Sequence, residues 1–97
     1  MANSLYSNPL YFDSTTNASV TGQKIIMAVV WVSDSGTNLD IAADDDFLLS
    51  DSNEMKIIGK RAESAGDDLY MPFPDGFVVN GITLTTLDGG VCYVYLK

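Results

Sequence analysis

Ninety-seven residues make one domain, since a single core usually grows to roughly 100–150 residues before a chain divides. Residues of the hydrophobic class make up 46% of the chain and run along its whole length, which excludes a disordered segment. Thirteen Asp and Glu against five Lys and Arg give a net charge of −8, which argues against nucleic-acid or anionic-membrane binding driven by charge, and a chain with no histidine and one cysteine lacks the material for a histidine metal site, a histidine-assisted nucleophile or an internal disulfide.

The amino terminus shows no basic region followed by an apolar stretch. The longest apolar run, residues 25–32, has eight residues against the roughly 20 that cross a bilayer, so the expectation is a chain made in the cytoplasm, neither secreted nor membrane-bound.

In chain order, residues 9–12 predict an edge strand that starts on Pro9, where a missing N–H removes no ladder bond. Residues 25–32 are apolar at odd and even positions alike, which predicts a strand covered on both faces, one of them by another subunit. Residues 38–43 predict a strand. Residues 47–50 and 55–58 predict a hairpin closed by a four-residue loop, because a two-residue Ser52-Asn53 loop would set Asp51 opposite Glu54. Residues 69–73 and 77–79 predict two strands separated by the turn Pro74-Asp75-Gly76, with a bend at Asn80-Gly81.

The carboxy-terminal stretch predicts a hairpin of residues 82–87 and 91–96 around Asp88-Gly89-Gly90. With Leu87 opposite Val91, one face is Ile82, Leu84, Thr86, Cys92, Val94 and Leu96, a core face. The other is Thr83, Thr85, Leu87, Val91, Tyr93 and Tyr95. No long window keeps a helical apolar stripe. The expectation is therefore an all-β single domain over residues 1–97, a small antiparallel β-sandwich of jelly-roll or immunoglobulin-like layout with roughly seven to nine short strands. Residues 1–20 would form an extended arm or an edge strand.

Asp34, Asp40, Asp44, Asp45, Asp46, Asp51 and Glu54 fall within 21 residues that hold no base, which raises the question of calcium. An EF-hand loop needs glycine at its sixth place and glutamate at its twelfth. Counted from Asp44 these are Leu49 and Met55, so that pattern fails. Asp44, Asp45 and Asp46 are the residues a different oxygen-ligand site would use, and a solvated acidic loop is the favoured alternative. No metal and no cofactor is expected.

Asp67-Asp68 lacks a facing carboxylate and an aromatic cleft, so sugar hydrolysis is not expected. Cys92 falls on the predicted core face as a small hydrophobe. Lys60-Arg61 is too small a basic patch for nucleic acid and suits ion pairing with the acidic surface. The tyrosine face of the last hairpin is the best candidate for a working surface. Its expected interface residues are Tyr93, Tyr95, Leu87 and Val91, with Val29 and Trp31 of the doubly apolar strand. The competing arrangement packs those rings against Leu5, Tyr6, Leu10, Tyr11 and Phe12.

The closing segment, residues 78–96, resembles the corresponding stretch of small proteins of about 100 residues encoded by tailed bacteriophages, including phages of marine bacteria and cyanobacteria. Ser7-Asn8-Pro9-Leu10, Val29-Val30-Trp31-Val32 and Leu48-Leu49-Ser50-Asp51 are similar to the same group. The resemblance implies a non-enzymatic virion structural protein, first a capsid decoration or cement protein. Its partners would be other virion proteins, a major capsid protein or tail and neck proteins, and further copies of itself as a homo-oligomer. The alternative it leaves open is a neck, tail or fibre accessory piece, or a carbohydrate- or receptor-binding module in which Tyr70 and Phe73 stack on a sugar.

Overall fold

The computed structural model describes residues 3–5, 7–33 and 40–97. Six strands form one antiparallel sheet: β1 (Leu10–Phe12), β2 (Ser19–Val32), β3 (Asp46–Ser50), β4 (Lys56–Arg61), β5 (Leu69–Leu87) and β6 (Val91–Leu96), in the order β1-β6-β2-β5-β3-β4. The all-β class is as the composition and punctuation predict, with fewer and longer strands. No helix among the described residues is long and apolar enough to cross a membrane.

The sheet folds over along β5. Nineteen residues at roughly 3.3 Å each would reach about 60 Å if straight, yet the longest dimension of the molecule is 33 Å. Residues 69–83 of β5 pair with β2, and residues 83–87 pair with β3. The two ends of β5 thus come together, and Trp31 of β2 stacks on Phe47 of β3 with ring centroids 5.3 Å apart. One apolar core lies between the layers, with Leu10, Phe12, Ile26, Val29, Trp31, Phe47, Leu49, Ile82, Leu84, Cys92 and Val94 all buried.

The two breaks predicted inside residues 69–81 are irregularities within β5. Ile26 pairs with Phe77 and Ala28 with Pro72, so Phe73-Pro74-Asp75-Gly76 bulges out against the single residue Met27. The second register shift falls beside Gly81, which has φ +81°. Turn residues here release one or more residues from the ladder without ending the strand.

The carboxy-terminal hairpin is not formed. β6 pairs with β1 and β2, and β5 pairs with β2 and β3, so Asp88-Gly89-Gly90 carries the chain from one layer to the other. The predicted alternation still holds: Ile82, Leu84, Cys92 and Val94 are buried in one core, which they reach from opposite layers.

The β3–β4 hairpin is present. Residues 51–55 connect its strands, one more than expected, and close on themselves, since Asp51 N–H donates to Met55 O at 2.9 Å and Glu54 N–H to Asp51 O at 3.1 Å. The Asp51 carboxylate also accepts the N–H groups of Asn53 and Met55. Glu54 carries φ +65°, a conformation that favours glycine. β1 is the expected edge strand. Residues 40–43 form no strand, because Ile41 N–H donates to Ser33 Oγ at 2.9 Å and Ile41 O accepts from Gly66 N–H at 2.8 Å. Residues 38 and 39 of that predicted strand, Asp34 and Tyr6 lie outside the described residues.

Candidate functional site

Of the six expected interface residues, three belong to the core. Val29 and Trp31 are fully buried and Val91 is 1% exposed, all within one chain. The β2 bulge explains Val29 and Trp31: it shifts the alternation so that Ile26, Val29 and Trp31 face inward together, whereas Val91 is buried at the start of β6, opposite Val32. Leu87 is half-buried against the core through its pairing with Phe47. Tyr93 is half-buried and Tyr95 exposed, both on the sheet face opposite the core.

Register defines that open face. Residues directly opposite across a ladder point to the same side. Tyr11, Tyr93, Val30 and Tyr70 form one row across β1, β6, β2 and β5. Tyr95, Ala28 and Pro72 form the next, and beyond the bulge Ile25 lies beside Val78. Tyr70 is 66% exposed, Val78 54% and Tyr95 42%. Tyr93 is braced by Tyr11, with ring centroids 5.3 Å apart and planes tilted by 53°. None of these positions carries a charge, in a chain of net charge −8. Sequence reading singled out Tyr93 and Tyr95 on this face but did not place Tyr70 or Val78 beside them, because that depends on the pairing of β2 with β5.

A pocket of about 390 Å³ opens where the amino-terminal segment crosses the start of β2 and the end of β6. Leu5, Leu10, Val20 and Leu96 give it apolar walls, and Ser7, Ser19, Thr21 and Lys24 give it a polar rim. The Asn8 side chain ties the segment down, donating to Leu96 O at 2.8 Å and accepting from Leu96 N–H at 2.9 Å. Lys24 makes no ion pair among the described residues.

The acidic residues have structural duties. The Asp45 carboxylate accepts from Ala42 N–H at 2.8 Å and closes a turn. The Asp46 carboxylate accepts two hydrogen bonds from Arg61, at 2.9 and 3.1 Å, which hold its pKa below the ordinary 3.8. Asp44 is exposed, with φ +69°. Among the described residues no three acids gather as a metal site.

The Asp67 carboxylate accepts from Glu63 N–H, Lys60 Nζ and Asp68 N–H, and these bonds, the Glu63 one foremost, lower its pKa. Lys60 and Arg61 are thus ion-pair partners of the acidic surface, as expected. Cys92 is fully buried, and burial pushes its thiol far above the ordinary range, away from the nucleophilic thiolate. Phe73 is half-buried and stacks on Phe77 with ring centroids 5.3 Å apart.

The Asp46–Arg61 pair predicts a pH dependence. Because the folded carboxyl titrates below its ordinary value, its stabilisation is present above pH 3.8 and is lost as the pH falls through the folded pKa. Asp46→Asn is expected to lower the urea midpoint at about pH 6, and the gap from the parent should close as the pH falls below 3.8 and through the folded pKa. A gap that persists unchanged in acid would assign the loss to packing instead of charge.

No protein-family model and no curated protein sequence matches the chain. Two solved structures are similar to it. A Streptococcus pneumoniae fucose binding module, SpX-3, aligns with 10% identity and a TM-score of 0.49, covering 98% of this chain and 71% of that one. A second structure of a Streptococcus pneumoniae fucose binding module aligns with 16% identity and a TM-score of 0.43, covering 98% and 69%. Both likenesses concern overall shape, and the role of no side chain is taken from them.

Proposed function

We propose that this chain is a non-enzymatic assembly protein that lays its open tyrosine face against a larger protein surface. The observation that carries the reading is the uncharged face on which Tyr70, Val78 and Tyr95 stand exposed. A sheet with one face on the core usually turns polar side chains to water on the other. Here both faces are apolar. Tyrosine suits such a surface because the ring buries area while the hydroxyl still bonds. At about 25 cal/mol per Å² of apolar area, a few hundred Å² offsets the mild repulsion of two acidic surfaces.

The phage resemblance of residues 78–96 supplies the setting: the virion of a tailed bacteriophage, with capsid decoration as the first role and a neck, tail or fibre piece as the next. Virions purified from a culture carrying the gene are expected to contain the chain. Shells stripped of it should rebind the parent, and Tyr70→Ser/Tyr95→Ser should bind at least about tenfold more weakly with an unchanged unfolding midpoint. Absence of the chain from the particles overturns the virion setting, and equal binding by the double variant overturns the face.

The exposed Tyr70 ring favours a second reading, a carbohydrate-binding module in which that ring stacks on a sugar. Titration of the parent and of Tyr70→Ser with fucose and other monosaccharides, followed by calorimetry, tests it. Heat that vanishes in the variant would support a sugar site, and a parent that gives none removes it.

A further inference from the structure

Met55 is the most exposed large hydrophobic side chain among the described residues, at 67%. It stands at the end of the β3–β4 loop, directly after Glu54 and close to Asp51. The loop that carries it is rigid: Asp51 binds it from within, and Ser52 N–H donates to Asn80 O at 3.0 Å. The molecule thus presents an apolar knob with Glu54 and Asp51 on one side and Lys56 on the other. The pocket beside β2 has the opposite character, with apolar walls from Leu5, Leu10, Val20 and Leu96 and the cation Lys24 on its rim. Its volume of about 390 Å³ lies within the roughly 300–1,000 Å³ of sites that hold small molecules, so an unbranched thioether side chain enters easily. Methionine is well suited to filling an irregular hollow.

Knob and pocket lie at the same end of the molecule. Ser19, on the pocket rim, is opposite Thr83, Thr83 opposite Ser50, and Ser50 opposite Lys56 at the foot of the loop. The two features also meet at Gly81, where a Cβ would lie 3.0 Å from the backbone oxygen of Val20 on the pocket wall and 3.1 Å from Ser52 Cβ in the loop. Two features side by side on one end can engage reciprocally across a two-fold axis, each copy giving its knob and receiving the other's.

We propose that two copies of this chain join end to end, each inserting Met55 into the other's pocket while Glu54 meets Lys24 of the other copy. The charge pattern selects a second copy as occupant. In a chain of net charge −8, a rim cation without an ion pair faces a knob whose charged neighbours, Asp51, Glu54 and Lys56, sum to −1. Glu54 has φ +65°, where glycine would be more comfortable. The contact leaves the tyrosine face free, so it deepens the assembly reading and rests on it: a dimer of this kind would offer two open faces to a shell.

Sedimentation equilibrium of the full chain tests the proposal. The parent is expected to be a dimer at about 100 µM, and Lys24→Glu and Glu54→Lys should each weaken dimerisation at least about tenfold. The combined charge swap should return the dissociation constant to within about threefold of the parent, a rescue that a merely structural role for either residue would not give. Glu54→Gly should raise the urea midpoint while weakening the dimer, which separates the loop's backbone strain from its role in the contact.

A parent that stays monomeric overturns the proposal, as does a dimer indifferent to all of these changes. Dodecanoate bound stoichiometrically by a monomeric parent, and lost in Lys24→Gln, would assign the pocket to a small amphiphilic anion and also overturn it. A dimer of the expected kind whose chain is missing from virions would leave this contact standing and remove the virion setting. A monomer that still binds shells through Tyr70 and Tyr95 would do the reverse.

Discussion

Trp31→Ala is expected to lower the stability of the domain by about 3–5 kcal/mol, as removal of a large buried aromatic usually does. The side chain is fully buried, stacks on Phe47 of the other layer with planes 15° apart, and donates from Nε1 to Gly89 O at 2.9 Å. It therefore joins the two ends of β5 and fixes the connection to β6. Losing it leaves a cavity between the layers and deprives a backbone carbonyl of its donor. Domains of this size have roughly 5–15 kcal/mol in total, so much of the margin goes. Urea unfolding followed by far-ultraviolet circular dichroism measures the loss, since the chain's one tryptophan is the residue removed. Trp31→Phe, which keeps most of the apolar area but not the donor, should lose less. A loss under about 1 kcal/mol for Trp31→Ala would mean that the layers are held mainly by other contacts.

The second large effect is expected at Gly90. Its φ is +77°, and a Cβ there would lie 2.7 Å from Val32 O and 2.6 Å from Ile41 Cγ1. Alanine in this conformation costs roughly 1–2 kcal/mol for the backbone alone. The clash with the main-chain carbonyl of Val32, at the end of β2, adds an overpacking cost of about 1–3 kcal/mol. Gly66→Ala is the matched control, because Gly66 has φ +81° and a Cβ there would meet nothing within 4 Å. The difference between the two midpoints reads the steric part directly. Equal losses would show that the crossing between layers has room to relax.

Both effects depend on the crossing at Asp88-Gly89-Gly90, and this is where sequence and structure part. The alternation of residues 82–87 and 91–96 is a local property, since side chains along a strand must point to opposite faces, and its core side was legible. The strand partners were not. A glycine pair with access to positive φ closes a hairpin and carries a chain between layers equally well, so the same residues satisfy both arrangements. Only the competition of all strands for partners decided that β2 takes both β5 and β6 as neighbours.

The same reason divides the candidate site. Composition alone determined the lack of histidine chemistry and the net acidity, which depend on residue type, and the short apolar runs punctuated by turn residues determined the all-β class. The hairpin at residues 46–61 and the edge strand at Leu10–Phe12 were also legible, since a short loop and a strand-breaking proline act through near neighbours. Residues 25–32 read as apolar on both faces, but the bulge at Met27 chose which of them entered the core. It took Val29 and Trp31 out of the expected interface and turned Val30 toward the open face with Tyr70 and Tyr93. A one-residue shift in register changes the side on which every later side chain of the strand falls, and the partner strands that fix such a shift are distant in sequence. The open face, the end pocket and the position of Met55 beside it are products of that long-range pairing.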